Sequence, residues 1–239
     1  MGSPPLVSCV MLTYPGREKM VRASIARWRR GHIGVTSELV VVLGAGEEVD
    51  LPTGPDLRVV RAPSRHVAIK FETGFLAAKG DVVAKMDDDD WYSPNRLRRQ
   101  AQLILEGGAD IASLHEEHVL CLPEESWWRS RHNHENAYHD ATTAVRRDII
   151  TKAPWPRWVP GETFRWVNEL TRLGAKHSII PANEDFVYIR HTKNTWQIPD
   201  LHQHFDPVET KPAWFPEEDL KVMVEATVAM TAAKSTKKK

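Results

Sequence analysis

The chain has 239 residues, 41% apolar and 27% charged, with Lys plus Arg equal to Asp plus Glu at 32 each. That length suits one large α/β domain or two small ones, and the balanced charge gives no ground for a nucleic-acid or membrane-surface partner. Two cysteines, Cys9 and Cys121, are too few for a disulfide framework or a Cys-rich metal site, no apolar run approaches the roughly 18 residues of a membrane span, and residues 1–5 lack a signal peptide's features, so the expected location is the cytoplasm.

Residues 6–12 form a short apolar run with β-branched members and read as a buried first strand. Thr13-Tyr14-Pro15-Gly16 breaks it, and residues 17–28 follow with Met20, Val21, Ile25 and Trp28 at helical spacing. A second strand spans 39–43 and ends in Gly44-Ala45-Gly46, where a simple turn is a better reading than a phosphate loop. A third strand covers 57–60, and residues 68–78 have helical character up to Gly80.

Residues 81–86 read as a fourth strand, and it ends abruptly in Asp87, Asp88, Asp89 and Asp90. Four carboxylates in a row repel one another unless a cation sits among them. A solvated turn capping the next helix is one reading. The position favours another, because the C-terminal ends of parallel strands open into the crevice where α/β sheets bind ligands. Oxygen ligands suit Mg²⁺ or Mn²⁺, and these ions in turn bind phosphates.

A helix over 95–106 follows, stopped by Gly107-Gly108, then short strands at 111–114 and 119–122. The alternation to this point predicts a parallel, doubly wound sheet. Residues 123–139 are polar, aromatic and His-rich, and read as a long functional loop in which Trp127 and Trp128 stack on an acceptor. Within it, His132 and His134 are candidate metal ligands. A strand at 142–145, a short helix at 146–152, a helix at 161–173, strands at 178–180 and 186–189, and an amphipathic helix at 217–232 complete the chain before a basic tail at 234–239.

Four stretches in order carry a resemblance to the family 2 glycosyltransferases of the GT-A fold. They are residues 7–14 (VSCVMLTY), 80–97 with the acid run followed by Pro94, Arg96 and Leu97, 160–164 (PGETF), and 188–196 (YIRHTKNTW). The resemblance implies an α/β, Rossmann-like mixed sheet flanked by helices in a single compact GT-A domain over 1–196, with a nucleotide-sugar half (1–114) and an acceptor half (115–196), and a C-terminal helical extension over 197–239.

It also implies transfer of one sugar, with inversion, from a nucleotide-diphosphate sugar to an acceptor hydroxyl, with Mn²⁺ or Mg²⁺ stabilising the leaving diphosphate. A UDP-sugar is the first donor to consider, and a glycan or small molecule is favoured over nucleic acid as acceptor. In the acid run both Asp87-x-Asp89 and Asp88-x-Asp90 satisfy the DxD pattern. The family's usage points to Asp89 with Asp90 and His191 at the metal, to Asp87 and Asp88 on the nucleotide sugar with Asp88 toward the ribose, and to Thr13, Tyr14, Arg17 and Lys70 around base and diphosphate. The family's catalytic base is the Asp of Gly-Glu-Asp. Here that position is Thr163, whose hydroxyl takes no proton at neutral pH, so Glu162 is the candidate base, with Asp140 and Asp185 as alternatives.

Uridine-binding members commonly have an Asp after the second strand, where this chain has glycines, so either Glu47 or Glu48 substitutes or the base is not uracil. A nucleotidyltransferase and a nucleotide-sugar-binding protein without catalysis are the competing readings.

Overall fold

A computed structural model describes residues 6–131, 137–157, 161–194, 198 and 200–232. In chain order the regular elements are β1 (Leu6–Leu12), α1 (Glu18–Arg29), β2 (Thr36–Leu43), β3 (Leu57–Arg61), α2 (Val67–Ala77), β4 (Val82–Asp87), β5 (Trp91–Tyr92) and α3 (Arg96–Leu105). There follow β6 (Ile111–His115), β7 (His118–Cys121), β8 (Ser126–Ser130), β9 (His139–Arg146), α4 (Glu162–Arg172), β10 (His177–Pro181), β11 (Phe186–Arg190), β12 (Phe205–Val208) and α5 (Glu217–Ala232).

Seven strands form the main sheet in the order β10-β6-β9-β4-β1-β2-β3. All its pairings are parallel except those of β9, which runs antiparallel to β4 and β6. The sheet is therefore mixed rather than purely parallel, as the resemblance implied and the strand–helix alternation alone did not. Along β1 the pleat sends Val7, Cys9 and Met11 to one face and Val10 and Leu12 to the other, and both faces are covered. Val21, Ile25 and Trp28 of α1 and Leu97, Ala101 and Ile104 of α3 pack on the first face. Phe71 and Phe75 of α2 and Trp166, Val167 and Leu170 of α4 pack on the second. Burial on both faces explains why β1, β2 and β4 read as continuous apolar runs.

Helix α2 lies unusually close to the sheet. A Cβ on Gly74 would stand 2.4 Å from Val10 Cγ1 and 2.7 Å from Val42 Cγ2, so only glycine permits this approach. The close seat sets Lys70, one turn earlier, over the β1 and β2 ends.

A second, five-stranded sheet has the order β12-β8-β7-β11-β5. It corrects the expectation of a long loop over 123–139, because Trp127 and Trp128 lie in β8, hydrogen-bonded to β7 on one side and β12 on the other. Trp127 is buried against Phe215 at 5.0 Å between ring centroids, and Trp128 is half-buried. One buried position in a strand of Ser, Trp and Arg leaves too little apolar alternation for a period-2 signal to show.

The segment beyond β11 is built into the body. Strand β12 closes the second sheet, and α5 packs on α1 through Met20, Ala226 and Met230. Asp219 of α5 accepts hydrogen bonds from Trp91 Nε1 (2.7 Å) and Arg30 Nη2 (2.5 Å). Among the described residues no helix is long and apolar enough to cross a membrane.

Candidate functional site

Strand β4 delivers the acid run beside β1, with Asp87 in register with Leu12, and the turn Asp88–Asp90 leads directly into β5. Their carboxylates line a pocket at the C-terminal edge of the main sheet. Leu12, Tyr14, Arg17, Val67 and Phe71 also line it. So do Lys85, His139, Asp140, Glu162, Tyr188 and Asn194. One concavity thus holds six carboxylates and two fixed cations, Arg17 and Lys85.

Arg17 spans two of the acids, with Nη1 at 2.5 Å from Asp88 Oδ1 and Nη2 at 3.1 Å from Asp89 Oδ2. Burial pushes the Asp88 carboxyl up to about 6, against the pull of Arg17. At Asp89 burial again opposes ionisation, but Arg17 and the His191 hydrogen bond hold this carboxyl well below the usual range. Asp87 is raised to about 7 by burial despite Lys85, and burial carries Asp90 well above the ordinary value. Asp90 Oδ1 accepts a hydrogen bond from Ile189 N (2.9 Å), tying the acid turn to β11.

His191 was expected at the metal. Its Nδ1 accepts the Lys193 backbone N–H at 3.1 Å, which leaves Nε2 to carry the ring proton, and Nε2 lies 3.1 Å from Asp89 Oδ2. In this arrangement His191 lies against Asp89 and orients its carboxylate.

The acids nonetheless suit a divalent ion. Asp88 Oδ2 is buried with no hydrogen-bond partner, and Asp89 lies beside it. No group of three or more His, Cys, Asp or Glu side chains converges on one point among the described residues. A Mg²⁺-type ion needs no such cage, since it takes one or two carboxylates and completes its shell with water and substrate phosphates. Asp88 and Asp89 fit that role.

Lys70 was expected to meet the diphosphate, and the structure places it elsewhere. The side chain is fully buried, and Nζ donates to Glu47 Oε2 (2.8 Å) and Thr13 O (2.7 Å). Burial lowers its pKa, against the carboxylate of Glu47. Thr13 is itself fully buried, and its side chain opposes the rise that burial gives the Asp88 carboxyl. Glu48 is exposed and pairs with Arg61, far from any base-reading role.

Elsewhere in the lining Gly161, at φ +89°, begins α4 and makes Glu162 its first residue. Glu162 lines the pocket; Thr163 is wholly buried outside it. Burial raises the Glu162 carboxyl, while the Lys85 charge opposes that rise. Of the two alternative bases, Asp185 is engaged with Ser93 Oγ (2.5 Å) and Arg99 away from the pocket. Asp140 is in the pocket, with Lys85 Nζ at 3.2 Å from its Oδ2. Burial disfavours its charge, but Lys85 and His139 outweigh burial and leave its pKa lowered.

Trp127 and Trp128 do not reach this pocket; they border a separate surface groove with Val208 and Lys211. Sequence reasoning missed Lys85, His139, Tyr188 and Asn194. For Lys85 a signal existed, since a lysine inside an apolar strand is almost never buried without carboxylate partners. Of the expected features, His132, His134, Pro160, Thr195, Trp196, residues 1–5 and the tail at 234–239 lie outside the described residues.

Residues 46–160 match the family model described as Glycosyl transferase family 2. Among solved structures, the mannosyltransferase PcManGT from Pyrobaculum calidifontis, in complex with GDP-Man and Mn²⁺, is similar with a TM-score of 0.60 at 14% identity, over 82% of this chain and 61% of that one. S. aureus TarS 1-349 is similar with a TM-score of 0.52 at 14% identity, over 77% of this chain and 60% of that one. The chain therefore spans about three fifths of the length of each. At this identity the likeness is one of fold. No curated protein matches the chain.

Proposed function

We propose that this chain, a GT-A fold whose residues 46–160 match glycosyl transferase family 2, moves a single sugar from a nucleotide-diphosphate donor to an acceptor hydroxyl with inversion. The observation that carries the reading is that Glu162 lines the same pocket as the acid run.

Arg17 supplies a guanidinium at the acid run, where a diphosphate leaving group gathers charge as the glycosidic bond breaks. Asp88 and Asp89 would hold Mn²⁺ or Mg²⁺, and that ion supplies charge neutralisation at the diphosphate when bound. His191 fixes the rotamer of Asp89. Glu162 accepts the acceptor's hydroxyl proton as the oxygen attacks the anomeric carbon. Direct attack by that oxygen on the face away from the leaving diphosphate would be a single displacement and would invert the centre. A carboxyl raised by burial suits this work better than Asp140, whose charge is already stabilised by Lys85. That comparison favours Glu162 as base.

The donor is open between nucleotides. A UDP-sugar is the first to test, and GDP-mannose, which PcManGT holds, is the second. The acceptor wall presents Asp140 and Glu162, which repel phosphates, so a neutral hydroxylated glycan or small molecule fits better than nucleic acid. The free, buried Cys9 and Cys121 favour a reducing cytoplasmic setting. A nucleotidyltransferase is disfavoured because the loop after β1 offers only Arg17 and lacks a glycine-rich phosphate cradle.

Calorimetric titration with UDP, GDP and their sugars, each with Mn²⁺ and with chelator, tests the reading. Binding of at least one of them that requires Mn²⁺ is the expected result. If none binds in either condition, the donor-site assignment fails.

A further inference from the structure

The Lys70 ammonium is sealed on the donor side of the pocket, and its three N–H groups are accounted for without water. Nζ lies 2.7 Å from Thr13 O, 2.8 Å from Glu47 Oε2 and 3.6 Å from the centroid of the Tyr14 ring. Glu47 is 5% exposed, and the same Oε2 accepts the Gly44 N–H at 2.6 Å. One buried ion pair therefore joins the loop after β1 to the loop after β2, and Tyr14 lies against it.

The loop after β2 also has no room for a side chain at its first position. A Cβ on Gly44 would stand 2.8 Å from Arg65 Cα and 3.0 Å from Ser64 O, both backbone atoms that cannot yield. The aspartate expected there for reading a uracil base has no space, and the nearby carboxylate of Glu47 is turned inward onto Lys70. Tyr14 lines the pocket as a half-exposed aromatic ring held from behind by the Lys70 ammonium.

We propose that Lys70 and Glu47 are a positioning pair that fixes the Tyr14 ring as the surface on which the donor's base lies, in place of a base-reading carboxylate after β2. The inference rests on the donor-site reading above and adds how the base is held. Neither residue touches the donor. Removing the pair frees the ring and the β1 loop, so the loss falls on nucleotide affinity and runs through Tyr14.

The test is a double-mutant cycle on the full chain, read by calorimetric binding of UDP and of GDP with Mn²⁺. Lys70→Met/Glu47→Gln removes both charges together, so neither is left buried alone, and thermal unfolding confirms that the variant is folded. This variant and Tyr14→Ala are each expected to weaken the better nucleotide about tenfold, in the range for losing one base–aromatic contact. The triple variant is expected to bind within about twofold of Tyr14→Ala, because the pair acts only through that ring. Losses that multiply in the triple variant, or a pair variant that binds like wild type, would overturn the proposal. If the pair variant does not fold, Glu47→Asp replaces it: shortening the carboxylate arm should cost a few-fold in affinity, again absent in the Tyr14→Ala background, and wild-type affinity would count against the pair. A wild-type chain that binds neither nucleotide overturns the donor site itself, whereas intact wild-type binding without coupling overturns the pair alone.

Discussion

Glu162 and Thr163 are neighbours in sequence with opposite fates: Glu162 lines the same pocket as the acid run, and Thr163 is buried outside it with Oγ1 lacking any hydrogen-bond partner. The residue at the position of the expected aspartate is therefore not among the pocket's lining residues, and its neighbour is. Glu162→Gln is expected to lower sugar transfer by about 10²–10⁴, the range for loss of a general base, while nucleotide binding measured by calorimetry is unchanged. Thr163→Val removes a buried hydroxyl with no partner, and should stabilise the fold by about 1 kcal/mol, a rise of roughly 3 °C in thermal melting.

The pH dependence follows from the walls around Glu162, which faces Lys85, Asp140 and His66. Its folded pKa is raised, so the base must lose its proton at a higher pH than a free glutamate, and transfer falls as pH drops through that raised value. Lys85 opposes the rise, so Lys85→Met should move the acidic limb of the rate profile to higher pH. Stability has the opposite sign. A carboxyl raised on folding contributes stability below its unfolded pKa and loses it as pH rises through the folded one. Glu162→Gln should therefore melt higher than the wild type at pH 7, with the gap closing toward pH 4. Equal melting at both values would remove Glu162 as the strained group.

Arg17 holds one oxygen each of Asp88 and Asp89, the two carboxylates proposed for the divalent ion, so its charge opposes the ion's. Arg17→Met should tighten Mn²⁺ binding in the absence of nucleotide by at least about tenfold, because a unit charge roughly 4 Å away near a protein surface is worth up to about 4 kcal/mol. The same variant should weaken nucleoside-diphosphate binding at saturating Mn²⁺. Manganese titration followed by electron paramagnetic resonance reads the first effect and calorimetry the second; changes in the same direction would refute the competition.

Asp219 couples the C-terminal helix to the acid turn. It accepts from Trp91 Nε1 and Arg30, and lies 3.7 Å from Arg27 Nε, while Arg27 Nη1 donates to the backbone oxygen of Asp90 at 3.2 Å. Burial lowers the Arg27 guanidinium to about 10, against the Asp219 charge that sustains it. Asp219→Ala leaves that guanidinium buried and unpaired, and should cost about 3 kcal/mol in urea unfolding, typical of breaking one side of a buried pair. Arg27→Met together with Asp219→Leu should recover most of the loss.

How much was legible in the sequence differs between the two sheets. Strands β1, β2 and β4 were readable because burial on both faces makes every residue apolar, and α1, α3 and α5 because their burial is periodic. Strands β8 and β12 were not, since Trp127 is the single buried side chain of the first and Phe205 of the second, and one inward residue sets no period. Placement in a pocket at the edge of the main sheet was likewise readable for the acid run, because a strand that ends in carboxylates can present them only at its own C-terminal edge.

The sequence alone determined an α/β architecture, the acid run at a strand end and the lack of an aspartate at Thr163, all of which are local in the chain or set by order along it. The tertiary structure decided which charge meets which. Lys70 turns away from the pocket because a close-packed glycine seats α2 against the sheet and Glu47 lies within its reach. Lys85 enters the pocket because β9 runs antiparallel beside β4 and brings Asp140 to it. Trp127 is withdrawn into a core because β12, from beyond residue 200, closes over its strand. Each outcome depends on a partner distant in sequence, and ion pairing and burial in a folded protein are set by neighbours in space.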